Sequence, residues 1–453
     1  MNGTLRRPSG RFLPLVLVVV IVGACGGQST PSSTSSSAAS APVPAASPSH
    51  PPPSQPSSHP SPAPGSPTQA RIAELQAKVA ADPTDAEAQR DLGFALLQRI
   101  RETADASLYA PAERSFEAAR RLTPDDAQVL VGIGGLQLGR HQFALALETG
   151  REAVRLGPNL PAAHEVVVDA LVELGRYDDA GKAAGLMLGA GLELGSLARW
   201  SYVRELHGDL VGALAAMRRA AEMPGLAPEN TAFAQVHLAN LLVWTGDRDA
   251  GQRAYEAALA EVPNYAPALA GLGRLAAASG DLDAAARQFA HAAEVVPLPE
   301  YVIALGEAQE AAGDLAAAGD SYALATAEIK LFETNGVVVD LDLALFEADH
   351  GRAQDALRHA RTAFEATPTV RAADALAWAL HRLGRDREAA RRSKQALRLG
   401  SRDPLFHFHA GAIAAALGDT AAARRELSAA LKVDPGFSPT GAAEARRLLD
   451  SFD

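Results

Sequence analysis

The chain has 453 residues, 47% hydrophobic but only 5% aromatic, with 42 basic and 53 acidic side chains and a formal charge of −11. Such acidity repels phosphate backbones and argues against nucleic acid as a partner. A single cysteine excludes an internal disulfide, and an apolar content dominated by Ala and Leu suits close-packed helices better than sheets.

Residues 1–24 read as a signal peptide. Arg6, Arg7 and Arg11 form a basic start, and Phe12 to Val22 an apolar run shorter than the roughly 20 residues a spanning helix needs. The run ends in Val22-Gly23-Ala24-Cys25. This tetrapeptide resembles the lipobox of bacterial lipoproteins. The resemblance implies cleavage before Cys25, lipidation of its thiol, and a mature chain of charge −14 anchored to a membrane of the cell envelope on the extracytoplasmic side. An ordinary secretory signal cut nearby, giving a secreted protein, is the alternative.

Residues 25–68 are expected to be a tether. Of the 41 residues from 28 to 68, 14 are Ser and 12 are Pro, with no charge. Such a stretch buries too little apolar surface to offset the entropy of ordering, so it predicts disorder with a polyproline bias.

From residue 69 to 453 a beat of about 34 residues takes over. Pro263 and Pro297 enclose Leu272-Gly273, Ala285, Phe289 and Ala292; the order returns as Ile133-Gly134, Ala146, Ala153 and Pro158, and again as Ala410-Gly411, Ala423, Ala430 and Pro435. A fixed beat of this length predicts stacked supersecondary units, none of which buries its apolar face alone. Small residues belong where two helices cross closely, and large ones in the seam to the next pair. Gly246-Asp247, Gly280-Asp281, Gly313-Asp314 and Gly418-Asp419 mark the turns within pairs, with Gly175-Arg176, Gly351-Arg352 and Gly384-Arg385 as variants.

This pattern resembles the tetratricopeptide repeat. The resemblance implies an all-α, right-handed solenoid of helix-turn-helix units whose first helices line a concave groove. Ten units are expected to open near Ala86, Ala127, Pro161, Leu194, Ala232, Ala266, Pro299, Val337, Val370 and Pro404, after a half-unit Gln69–Ala81 and before a capping helix near Thr440–Ser451. Stacking on neighbours alone predicts a curved rod. Extra residues in the first unit (Glu102 to Ser107), before Ala232 and before Val337 are expected to lengthen loops and loosen the stack. The segment Asn335 to Gly351, with Ala373–Trp378, Phe406–Gly411 and Phe437-Ser438-Pro439, also resembles a C-terminal stretch of exported bacterial repeat proteins, which implies no activity.

Gly132-Ile133-Gly134-Gly135 and Gly271-Leu272-Gly273 imitate a dinucleotide loop, but Gly134 and Gly273 fall on the helix-crossing slot and read as packing glycines. Among the late histidines, His407 and His409 are two apart, about 200° around a helix, too divergent to chelate one ion; His409 beside Ala410-Gly411 is expected in a helix seam. No carboxylate pair is spaced for acid–base work. No catalytic residue, metal or cofactor is expected.

The groove is the remaining source of chemistry. The family's inward slots fall on Glu165, Asp169, Glu173, Tyr202 and Glu205 in the third and fourth units. In the middle units they fall on Asn240, Trp244, Arg274, Glu307 and Glu310, and late in the chain on Asp374, Trp378, His381, Arg382 and Phe408. The resemblance thus implies a non-catalytic, envelope-anchored scaffold that grips a protein or peptide, with acidic slots favouring a basic one. The alternative is an accessory assembly subunit of an envelope secretion or export machine, docking by its convex face; apolar residues exposed on second helices would favour it.

Overall fold

The computed structural model describes residues 66–225 and 227–453. Every regular element among them is helical. The signal peptide, Cys25 and the tether up to residue 65 lie outside the described residues. Helix α1 (Pro67–Ala81) opens the array, capped by the Ser66 side chain, two residues ahead of the expected boundary.

Ten helix pairs follow. They are α2 (Ala86–Thr103) with α3 (Tyr109–Leu122), α4 (Ala127–Gly139) with α5 (Phe143–Leu156), and α6 (Pro161–Glu173) with α7 (Tyr177–Ala190). Next come α8 (Leu194–Leu206) with α9 (Leu210–Ala221), α10 (Pro228–Trp244) with α11 (Arg248–Glu261), and α12 (Ala266–Ser279) with α13 (Leu282–Val295). The last four are α14 (Pro299–Ala312) with α15 (Leu315–Thr334), α16 (Asp340–Asp349) with α17 (Ala353–Ala366), α18 (Val370–Arg382) with α19 (Asp386–Ala396), and α20 (Pro404–Ala416) with α21 (Thr420–Val433). Helix α22 (Gly441–Asp450) closes the array, as expected.

The recurrent residues do what their spacing demands. Ala146, Ala153, Ala285, Ala292, Ala423 and Ala430 are fully buried, and Phe289 fills the seam between them. A Cβ on Gly134 would meet Val166 at 2.6 Å and one on Gly273 would meet Phe289 at 2.8 Å, so both glycines are there for close packing. In each Gly-Asp turn the glycine adopts positive φ, and the aspartate caps the second helix: Asp247, Asp281, Asp314 and Asp419 accept the N–H of Ala250, Ala284, Ala317 and Ala422. Such a cap contributes about 1 kcal/mol. Arg176 and Arg385 make no side-chain cap; each instead pairs within the first turn, with Asp179 and Glu388.

The inserted residues behave differently from expectation. Those before Val337 extend α15 to 20 residues and leave α16 with 10. Those before Ala232 likewise join α10, now 17 residues. At the step from α15 to α16 the elements meet through rings, with Tyr322 stacked on His350 at 3.9 Å. In the first pair the extra residues form a short 3-10 turn, Ala106–Leu108.

Successive first helices touch one another from α2 to α12 and again from α16 to α20 while second helices spread apart, so the first helices form the inner side of the curve. That curvature is tight enough to overturn the curved-rod expectation, because pairs about six apart come into contact. The His141 ring, in the second pair, bonds Val338 O at 2.8 Å. The Tyr177 hydroxyl in the third accepts the N–H of Val370 at 2.9 Å. Arg398 donates to Gly175 O at 3.3 Å. Two turn glycines make this approach possible: Gly175 and Gly208 have φ of +70° and +73°, and a Cβ on Gly208 would lie 2.1 Å from Gly400 O. Closely crossing Ala and Gly pairs wind the solenoid until its second turn rests on its first. One apolar core accordingly includes residues from Ile72 through Ala445.

Candidate functional site

The inner face carries the expected polar slots, but winding leaves them in three different settings. On α6, facing α8, Glu165 and Asp169 are 3% and 8% exposed. Arg199 binds both: its Nε donates to the Asp169 carboxylate at 2.9 Å, and its Nη1 lies 2.9 Å from Glu165 Oε2. Burial pushes Glu165 up to about 7, against the pull of Arg199, and raises Asp169 in the same way. A guanidinium suits this position because its planar fork serves two carboxylates and stays charged when desolvated. Together the three form an ion cluster sealed inside the solenoid, away from any open groove.

Next to it runs a half-buried polar strip around Arg371. Tyr202, Glu173, Glu205, Asp342 and Arg371 are half-buried there. Burial, followed by the like charge of Asp403, pushes Glu205 up to about 8. Burial also raises Glu173 and Asp342, with Arg371 opposing. Burial sets Glu300 at about 7, opposed chiefly by Arg274.

On α10 and α12 the structure brings Asn240, Trp244 and Arg274 together around one half-exposed cleft, bordered by Tyr255 and Asp434. The Tyr255 hydroxyl and Arg274 Nη2 both donate to Asn240 Oδ1. This leaves the amide N–H groups of Asn240 without a partner among the described residues. Glu307, on α14, is 1% exposed. It takes a hydrogen bond from the Ser438 hydroxyl at 3.3 Å, and burial holds the nearby His350 down to about 3, which keeps that ring neutral.

The late slots are packed shut. Trp378 is 2% exposed; its Nε1 donates to Asp349 Oδ1 at 2.7 Å, and its ring stacks on His409 at 4.1 Å and His381 at 4.9 Å. His409 bonds Asp374 at 2.8 Å, and burial pushes Asp374 well above its ordinary value. His381 bonds Asp386. His409 therefore lies in the α18/α20 seam expected for it. Among the described residues no three His, Cys, Asp or Glu side chains are arranged to hold a metal ion.

Of the fifteen expected inward slots, Glu165, Asp169, Glu307, Asp374, Trp378 and Phe408 are buried, Glu173, Tyr202, Glu205, Glu310, His381 and Arg382 are half-buried, and Asn240, Trp244 and Arg274 share a cleft. Sequence reasoning missed Arg199 and Arg371. Arg199 was recoverable: it sits 34 residues after Glu165, one beat along the same inner face. It also missed the segment Asp434–Pro439, which lies against α12 and α14.

Residues 97–161 and 237–297 match the tetratricopeptide repeat family. No curated protein matches the chain. Among solved structures it is similar to YrrB, a TPR protein with an unusual peptide-binding site, at 20% identity over 40% of this chain and 92% of that one, TM-score 0.29. TTC0263, a thermophilic TPR protein from Thermus thermophilus, gives 21% identity over 46% and 98%, TM-score 0.35. PilW, a type IV pilus biogenesis factor, gives 16% over 44% and 92%, TM-score 0.38. Repeats of this kind mediate protein or peptide binding, and their scaffolds are typically non-catalytic. Two stretches thus carry the tetratricopeptide repeat pattern, and the ten stacked helix pairs that contain them have the architecture of a helix-pair solenoid.

Proposed function

We propose that this protein is a non-catalytic scaffold, tethered to the cell envelope through a lipid on Cys25, that binds a protein or peptide ligand on the inner face of its middle repeats. The observation that carries the reading is the cleft where Asn240, Trp244 and Arg274 meet. It joins an amide with free donors, a half-exposed aromatic ring and a guanidinium, the groups that hold an extended backbone and anchor one side chain. The expected acidic slots Glu173 and Glu205 lie in the adjoining half-buried strip, which Asp342 and Arg371 share.

A photo-crosslinking amino acid in place of Trp244, in intact cells, is expected to capture one discrete polypeptide, and Arg274→Ala to abolish the capture. Capture that survives Arg274→Ala, or none at all, sinks the groove reading. Metabolic labelling with a fatty acid that persists in Cys25→Ala would sink the anchor.

A second reading has its own support. Leu145, Leu186, Val211, Leu315 and Leu324 are 50%, 66%, 80%, 69% and 52% exposed, and all lie on second helices, on the outer face. Exposed apolar side chains there favour docking of the convex face, as an accessory subunit of an envelope assembly would require. Crosslinkers at Leu186 and Leu315 distinguish the two: capture there, with none at Trp244, selects the outer face.

A further inference from the structure

Between α21 and α22 the chain runs Asp434-Pro435-Gly436-Phe437-Ser438-Pro439-Thr440 without helix. This segment crosses to the inner face of the sixth and seventh pairs. Gly436 lies flat on the end of α12, where a Cβ would sit 2.1 Å from Ala278 Cβ and 2.4 Å from Ala278 Cα. Phe437 and Ser438 are 6% and 3% exposed, and with Pro439 they line a pocket against Arg274, Glu300 and Tyr301. The Ser438 hydroxyl donates to Glu307 at 3.3 Å, and Asp434 lies 3.4 Å from Arg248 at the start of α11. Gly436 thus meets the inner face by close backbone approach and Ser438 by a hydroxyl donor, while Phe437 and Pro439 line the pocket there and Phe437 also packs on Phe408 of α20 at 5.6 Å.

We propose that this segment is a ligand held in cis. The inner face of α12 and α14 is a recognition site for a turn-forming peptide of the form Asp-Pro-Gly-Phe-Ser-Pro, and the chain's own copy occupies the site until it is displaced. The proposal rests on the groove reading above and names both its ligand class and its regulation. A segment tethered this way competes at an effective concentration of order millimolar. An outside ligand sees only the fraction of molecules whose segment has left, and binds more weakly by that fraction. The cleft at Asn240 and Trp244 shares Arg274 with this site and is bordered by Asp434, so departure of the segment widens the adjoining cleft as well.

The test uses the full chain and a fluorescein-labelled synthetic peptide of sequence Asp-Pro-Gly-Phe-Ser-Pro-Thr, followed by anisotropy. Gly436→Val in the protein forces the segment off α12, and the variant is expected to bind the peptide at least tenfold more tightly than wild type. The same peptide carrying Gly436→Val is expected not to bind. Hydrogen exchange supplies the structural readout: amides of α22 should exchange faster in the variant while those of α12 and α14 stay protected. A variant that releases α22 yet gains no affinity overturns the proposal, and so does unchanged exchange in α22. If Gly436→Val does not fold, Phe437→Ala is judged by the same two readouts. A partner crosslinked at Trp244 in cells, with no gain of peptide affinity, overturns the cis ligand while leaving the groove reading intact.

Discussion

Two stretches of the inner face turn polar side chains into packed interior, one around α6 and α8, the other around α18 and α20. The first gathers charges: Glu165 and Asp169 close on Arg199, and all three are under 9% exposed. The second gathers stacked rings and hydrogen bonds: Asp374 on His409, the His409 ring on Trp378, and the Trp378 indole on Asp349. The two fail differently. An ion cluster holds only while the charges balance, since a carboxylate left alone in low dielectric costs several kcal/mol. A network of stacked rings and hydrogen bonds depends on geometry and tolerates substitutions that keep its donors and acceptors.

The sharpest break in that contrast is Arg199→Met, which strands two buried carboxylates. Denaturant unfolding should show a loss of about 3–5 kcal/mol, mostly recovered when Glu165→Leu and Asp169→Leu are added. A loss under about 1 kcal/mol would mean that the cluster is hydrated. Asp374→Asn should cost far less, about 1 kcal/mol at most, because burial raises that carboxyl well above its ordinary value and the amide oxygen still meets His409. A cost equal to that of Arg199→Met would show Asp374 to be charged and would erase the distinction.

The smallest effect lies between the two stretches, at Glu205. Burial, with Asp403 nearby, raises its folded value from the ordinary 4.5 to about 8. The folded state therefore holds the proton more tightly than the unfolded chain does. Stability falls as pH climbs from about 4.5 to about 8 and levels off above that. Glu205→Gln removes this slope. The variant should melt roughly 1–2 °C above wild type at about pH 8.5, and the difference should vanish near pH 4.5. A difference independent of pH would assign the gain to packing.

Much of this architecture was legible in the residues. The Gly-Asp pairs located the turns because positive φ and an N-cap are local demands, met within four residues of chain. Small residues at Ala146, Ala285 and Ala423 located the crossings for the same reason. The superhelical contacts were not legible. Gly175 and Gly208 look like any turn glycine, and what they touch depends on small rotations accumulated over six pairs, which no periodicity records. The same limit governs the candidate site. Slot positions placed Glu165, Trp378 and Asn240 on the inner face, as observed, but a slot does not reveal whether that face is open. Glu165 met Arg199 from the next pair, and Trp378 met His409 from the next. Only around Asn240, where the neighbouring surface belongs to the chain's own Asp434, did part of the cleft remain accessible.

The bond between Tyr177 and Val370 spans 193 residues of chain, which has a consequence for biosynthesis. At about 5–20 residues per second a ribosome needs roughly 10–40 s to deliver the second partner after the first. Through that interval the early repeats are complete as helix pairs, yet the edge meant for the later turn is uncovered. The nascent protein is thus open to outside contacts along that edge for a period that the finished protein never revisits.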